Sequence, residues 1–210
     1  MNRDGYAITA LHVLTSGDKQ LGGGTSMTTA NVRFPSTEEQ RGQFFGGTFT
    51  RVDVDKLNDL ALLRLSMNPF NPDDPNMKAF LRGRQLPVSA VTFDQRRPVE
   101  GARISVSGFP FGAPVLITNS GWIASSWAFT LHPTTGPTGY FSDTYIADLS
   151  ANPGNSGGPV YLVDDASVIG VCHGIEIETA TGARTGNMHV IPIRYVIALL
   201  KKNGVTWMER

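Results

Sequence analysis

The sequence is poor in cysteine, in charge and in long apolar runs. Cys172 is the single cysteine among 210 residues, which excludes an internal disulfide and a thiolate zinc site built within the chain. The fold must therefore stand on its apolar core. Lys and Arg number 18 and Asp and Glu 18, so there is no cationic surplus to neutralise the phosphates of a nucleic acid or to form a polybasic membrane anchor. Charged residues are only 17% of the chain, below the quarter typical of soluble domains, which is not the composition of a disordered or coiled-coil chain. No apolar stretch reaches the roughly 18 residues of a membrane-spanning helix. The first five residues, Met1-Asn2-Arg3-Asp4-Gly5, are polar and carry no apolar signal segment. Taken as written, the chain is expected to be cytoplasmic, with neither nucleic acid nor membrane as partner.

What is present is a 40% hydrophobic content punctuated along its whole length by 23 glycines and 13 prolines. That pattern favours many short strands and turns over long helices. Strands are expected at 28–34, 44–54 and 60–65, after a strand at 6–14 that ends in a short helical turn. Residues 15–26, with Gly22-Gly23-Gly24, read as a loop. A Pro- and Asp-rich stretch around 68–98 reads as a connection. Further strands are expected at 103–107, 115–126, 145–149, 160–163, 168–177 and 188–193. Beyond Pro192 the period changes: Ile193, Val196, Ile197 and Leu200 recur at helical spacing, Lys201 and Lys202 suit a helix C-terminus, and Gly204 stops it. The expected organisation is a first β unit over 1–68, a connection over 69–100, a second β unit over 101–192, and a helix over 193–204.

Three segments carry possible chemistry: Thr9-Ala10-Leu11-His12-Val13, Asn58-Asp59-Leu60-Ala61-Leu62-Leu63, and Pro153-Gly154-Asn155-Ser156-Gly157-Gly158-Pro159. Alone, each has an ordinary structural reading. A histidine after a strand is commonly a satisfied structural residue, an aspartate before an apolar strand is commonly a turn or cap, and a glycine-rich serine segment can be only a turn. Together they supply a nucleophile, a base and an orienting acid. A serine hydroxyl needs an adjacent base at neutral pH. Imidazole titrates near neutrality, and a carboxylate on its other nitrogen fixes the tautomer.

In the order His, Asp, Ser, these segments resemble the chymotrypsin-like (trypsin-like) serine proteases, and within them the bacterial Deg or high-temperature-requirement branch. Gly108-Phe109-Pro110-Phe111-Gly112, Thr118-Asn119-Ser120-Gly121-Trp122, Val168-Ile169-Gly170-Val171 and His189-Val190-Ile191-Pro192-Ile193 extend the similarity to the second half. The resemblance implies an all-β fold of two six-stranded antiparallel Greek-key barrels with a C-terminal helix. It implies a serine endopeptidase with His12, Asp59 and Ser156 as catalytic residues, the backbone N–H groups of Gly154 and Ser156 as oxyanion hole, and no cofactor or metal. Asp53 and Asp55 are rival acids; Asp59 is preferred because it directly precedes the apolar run. The alternatives are a non-catalytic peptide-binding or scaffold module of the same fold, and an esterase or acyl transferase on the same residues.

The family's specificity pocket maps here to 148–153 and 172–176. Ser150 stands where enzymes selective for Arg or Lys carry an acid, which points to a small or medium apolar residue before the cleaved bond. Asp148 matches a structural aspartate of the Deg branch. A polypeptide substrate is expected as an added strand along His173, Gly174 and Ile175. His173 supports Asp59, lines the pocket or is a plain strand histidine. With His132 and His189 it shows no paired metal-ligand spacing, and all three are expected to be structural. Cys172 reads as a small apolar core residue. Asn155 has no charge to pair with a freed N-terminal amine, so zymogen activation of that kind is not expected. The family has two strands before the histidine segment that have no counterpart here. The first barrel is therefore expected to lack its N-terminal strands, with a partner chain as one means of covering the open edge. A PDZ-like module after Gly204 is not expected.

Overall fold

The computed structural model describes residues 4–15, 27–33, 44–66, 68, 73, 75, 78, 91–132, 140–177 and 180–207. The expected loop at 15–26, apart from Thr15, and most of the expected connection at 69–100 lie outside the described residues. The elements run β1 (Tyr6–Ala10), α1 (Leu11–Thr15), β2 (Met27–Arg33), β3 (Phe44–Asp55), β4 (Leu60–Leu65), β5 (Arg103–Gly108), β6 (Ile117–His132), β7 (Tyr140–Asp148), β8 (Pro159–Leu162), β9 (Val168–Ile177), β10 (Arg184–Pro192) and α2 (Ile193–Lys202). Among the described residues the first unit is a four-stranded antiparallel sheet in the order β1-β4-β3-β2. The second is a closed barrel in the order β10-β7-β6-β5-β8-β9. The expected all-β architecture with a C-terminal helix is present, and among the described residues the sheet of the first unit is open.

Several strands are longer than their composition implies. β6 runs to His132, β7 starts at Tyr140, and β10 starts at Arg184. The first three residues of β10 are exposed. At such a hairpin end the ladder is made by main-chain groups, so no apolar alternation marks it in the sequence. β6 bends between its two partners, pairing with β5 as far as Trp122 and with β7 from there on, with register shifts around Ser125.

Leu-Ala-Leu-Leu in β4 is buried throughout, a continuous apolar run of the kind a strand covered on both faces requires. Leu60 and Leu62 face a core shared with Val168, Val171 and Ile191 of the barrel and with Ile193, Val196 and Ile197 of α2. Ala61 and Leu63 face the other way, onto Phe49. β1 divides likewise, with Tyr6 and Ile8 on the shared core and Ala7 on the far side. The barrel has its own interior of Ile104, Val106, Ile123, Tyr145, Ala147, Val160, Met188 and Val190. Cys172 belongs to that interior, its Sγ 3.3 Å from Met188 Sδ, and burial pushes its thiol up to about 12. The expected apolar role for this residue therefore holds.

α2 ends at Lys202, two residues short of the expected stop. Asn203 caps it, and Val205 N–H returns to the Leu200 carbonyl at 3.0 Å around Gly204, whose φ is +64°. The helix is tied to the first sheet by Lys202 Nζ and Asn203 Nδ2, 2.8 and 2.9 Å from Asp53 Oδ2. Those bonds lower the Asp53 carboxyl to about 2.

Leu62 is fully buried at the centre of this junction. Leu62→Ala is expected to cost about 3 kcal/mol of unfolding free energy, the usual loss for a leucine deleted from a core. Urea unfolding of the two proteins measures it, and a loss under about 1 kcal/mol would mean that the two units do not share this core.

Candidate active site

Three separate elements bring His12, Asp59 and His173 together. Asp59 sits immediately before β4, in the left-handed region at φ +54°, a conformation that aspartate tolerates better than most residues. The turn that holds it there is built by Asp55, whose Oδ1 accepts from the N–H groups of Leu57 and Asn58 at 3.0 and 3.1 Å. Asp55 Oδ2 accepts from the buried Asn58 side chain at 2.6 Å. The two rival acids thus have structural roles, Asp55 in the turn and Asp53 on α2. The position of Asp59 directly before the apolar run marked it in the sequence, and the partners of the three separate them in the fold.

His12 lies on α1, one residue after Leu11, whose N–H donates to the Asp59 carbonyl at 2.8 Å. The Asp59 carboxylate takes two bonds from His12. The backbone N–H donates to Oδ1 at 2.9 Å, and ring Nδ1 lies 2.5 Å from Oδ2. His173 on β9 adds a third, with Nε2 3.2 Å from the same Oδ2. The two rings meet edge to face, centroids 5.6 Å apart. Burial pushes the Asp59 carboxyl up, but the hydrogen bonds and charges of both histidines outweigh it and hold the group well below the usual carboxylate range. Of the three readings of His173, its side chain takes the one beside Asp59.

Ser156 approaches from the barrel. Its hydroxyl donates to the His173 carbonyl at 3.1 Å. The sequence carried no signal for this contact, because the acceptor is main chain. Gly157 adopts φ +83°, and a Cβ there would collide with the Thr9 side chain just before α1. This glycine lets the serine segment close on the first sheet. Gly154 has φ +104°, and a Cβ would lie 2.5 Å from the Phe109 carbonyl. The segment is pinned by Asn155 N–H to Asn152 O at 3.0 Å, Gly157 N–H to Cys172 O at 2.8 Å and Gly158 N–H to Asn155 O at 2.9 Å. The Asn155 side chain is fully buried, and among the described residues its amide has no hydrogen-bond partner.

The expected substrate-binding residues separate by role. Ser150 is exposed and lies two residues beyond the end of β7. Ile175 packs its side chain on the barrel interior, and Gly174 has open space where a Cβ would stand. β8 covers β9 only as far as Val171. Asp148, at the end of β7, pairs across the barrel wall with Trp122 and Asn187. His189 Nδ1 lies 3.4 Å from Thr144 Oγ1 on that wall. The side chain of His132 lies outside the described residues.

A closed antiparallel barrel set against a second antiparallel sheet, with a C-terminal helix, is the architecture of the chymotrypsin-like fold. The sequence pattern of the trypsin-like peptidase domain matches residues 1–171, and the chain belongs to that family. Among curated proteins it is similar to a probable periplasmic serine endoprotease, DegP-like, of Pseudomonas putida. The two are 26% identical over 211 residues, covering 97% of this chain and 34% of that protein. The chain thus spans about a third of the length of the curated relatives it matches. The MamO protease domain of Magnetospirillum magneticum superposes with a TM-score of 0.64 at 16% identity, over 95% of this chain and 85% of that one. The Rv3671c protease of M. tuberculosis in its active form superposes at 0.62 and 18% identity, over 98% and 72%. Among the described residues no helix is long and apolar enough to cross a membrane.

Asp59 has a folded pKa below its ordinary 3.8. The stability it contributes is therefore fully present above that value and is lost as pH falls through the lowered pKa. The unfolding temperature of the native chain is expected to exceed that of Asp59→Asn from about pH 7 down to about pH 5, with the gap closing below about pH 4. Scanning calorimetry across this range measures it; a gap unchanged in acid would mean that the carboxylate charge is not what stabilises the site.

Proposed function

We propose that the chain is a serine endopeptidase in which Ser156 is the nucleophile, His12 the general base and Asp59 the residue that orients it. The observation that supports this most directly is the clasp of Asp59 on His12, by ring and backbone together. It directs Nδ1–H at the carboxylate and leaves the Nε2 lone pair for a serine proton. The Ser156 hydroxyl turns from the His173 carbonyl to His12 Nε2 as substrate arrives. Catalytic hydrogen bonds commonly tighten only in the substrate complex.

The Gly154 and Ser156 N–H groups receive the oxyanion, each such donor being worth about 3 kcal/mol of barrier. His12, now protonated, gives its proton to the leaving amine, and water repeats the sequence on the acyl-enzyme. The substrate lies as an added strand beside Gly174 and Ile175, beyond the point where β8 stops covering β9. The exposed, uncharged Ser150 favours a small or medium apolar side chain before the cleaved bond. Cell fractionation decides between the cytoplasmic setting expected from the sequence and the periplasmic one stated for the relatives.

The second reading is a peptide-binding module that does not cleave, and it draws on Ser156 hydrogen-bonding to the His173 carbonyl instead of to His12. Fluorophosphonate labelling separates the two. One adduct per chain by intact mass is expected for the native protein and none for Ser156→Ala. His12→Ala is expected to slow labelling by roughly 10³-fold or more. A folded native chain that takes no label would decide for the binding module.

A further inference from the structure

The catalytic reading uses one of the two imidazoles that Asp59 holds. Its Oδ2 lies 2.5 Å from His12 Nδ1 and 3.2 Å from His173 Nε2. A hydroxyl at the second position would suffice to steady a carboxylate. An imidazole adds something a hydroxyl lacks, a nitrogen lone pair available to a metal at neutral pH. The three ligand atoms all lie within 4.8 Å of one another.

We propose that His12, Asp59 and His173 form a binding site for one divalent transition-metal ion of the zinc class, and that its binding switches off the serine chemistry. The consequence for catalysis rests on the proposed triad; the binding does not.

Two imidazoles and a carboxylate are three of the four ligands of a tetrahedral zinc ion, with a water completing the set. With zinc–ligand bonds of about 2.0–2.2 Å, neighbouring ligand atoms stand roughly 3.3 Å apart. The His173–Asp59 pair is already at that spacing, at 3.2 Å. The His12–Asp59 pair must open by about 0.8 Å to reach it. His12 is the more exposed partner, its side chain 41% exposed while those of His173 and Asp59 are 20% and 13% exposed. The same exposure gives the ion its entry and the water its place.

The inhibition follows from where one proton sits. Neutral imidazole carries a single N–H. In the catalytic arrangement His12 holds it on Nδ1 and keeps the Nε2 lone pair for Ser156. A metal on Nδ1 takes that lone pair, and the proton moves to Nε2. His173 shifts the other way, from Nε2–H to Nδ1–H. Neither ring gains or loses a proton overall, and the bound site carries the metal's two positive charges against one carboxylate. His12 with Nε2 protonated cannot accept the serine proton. A wrong tautomer at this position costs about 10⁴ in rate. The ligands come from α1, the start of β4 and β9, with 47 positions between His12 and Asp59, so no paired spacing announces the site in the sequence.

The test is calorimetric titration of zinc chloride into the EDTA-stripped full chain, repeated with cobalt(II) and read by its tetrahedral visible absorption. One equivalent is expected to bind to the native chain and equally to Ser156→Ala. The Kd is expected to rise at least about tenfold in His173→Asn and in His12→Gln, both checked for native circular dichroism. Magnesium, which prefers oxygen ligands, should give no heat. Saturating zinc should slow fluorophosphonate labelling by roughly a hundredfold or more, and EDTA should restore it. No binding at millimolar zinc, or an affinity unchanged in both histidine variants, overturns the site. Labelling equally fast with and without bound zinc overturns the switch. A chain that binds zinc through His173 but never labels would leave the site standing while the serine-protease reading fails.

Discussion

β4 is buried on both faces, and the rest of the molecule is arranged around that constraint. Leu60 and Leu62 are sealed between the first sheet, the barrel and α2, while Ala61 and Leu63 fill the opposite face. A strand with two apolar faces has no exposed surface to slide toward, and a one-residue slip would exchange every side chain between two cores of different shape. Its register is therefore strongly specified. Asp59, the residue before it, inherits that precision. The Asp55–Asn58 turn then sets the carboxylate's direction, and the Asp59 carbonyl receives Leu11 N–H, which seats the helix that carries His12.

The site itself is organised by one carboxylate. Taking Asp59 out of water disfavours its charge, and the two histidines more than reverse that, so the group remains ionised where the chemistry needs it. Serving two rings has a consequence of its own. The bonds that fix the tautomer of His12 for proton transfer are the bonds a metal would replace. In the proposed reading, catalytic competence and metal binding draw on the same atoms and exclude one another through the position of a single proton.

The serine side of the site is held differently, by backbone geometry. Positive φ at Gly154 and Gly157 allows the segment to pass close to Phe109 on one side and Thr9 on the other. The buried Asn155 between them carries an amide without a protein partner among the described residues. A buried unsatisfied amide is costly, and here it sits within the segment whose N–H groups are proposed to meet the oxyanion.

Much of this was legible in the chain. The glycines and prolines marked strands and turns, the change of period after Pro192 marked α2, and the order His12, Asp59, Ser156 with their flanking residues marked the family. Such features are local, because propensity, periodicity and short motifs are properties of neighbouring residues. What the tertiary structure decided is non-local. It gave Asp53 to α2 and Asp59 to the two histidines, partners that lie far away in the chain, while Asp55 bonds its own turn. It turned His173 onto Asp59 and set the Ser156 hydroxyl on a main-chain carbonyl from β9. It lengthened β6, β7 and β10 through ladder bonds that side-chain patterning does not report. The sequence by itself determined which chemical groups are available and which segments carry them. The distances between those groups were settled only when β1, β4 and β9 packed on one shared core, because a contact between distant residues depends on the fold as a whole.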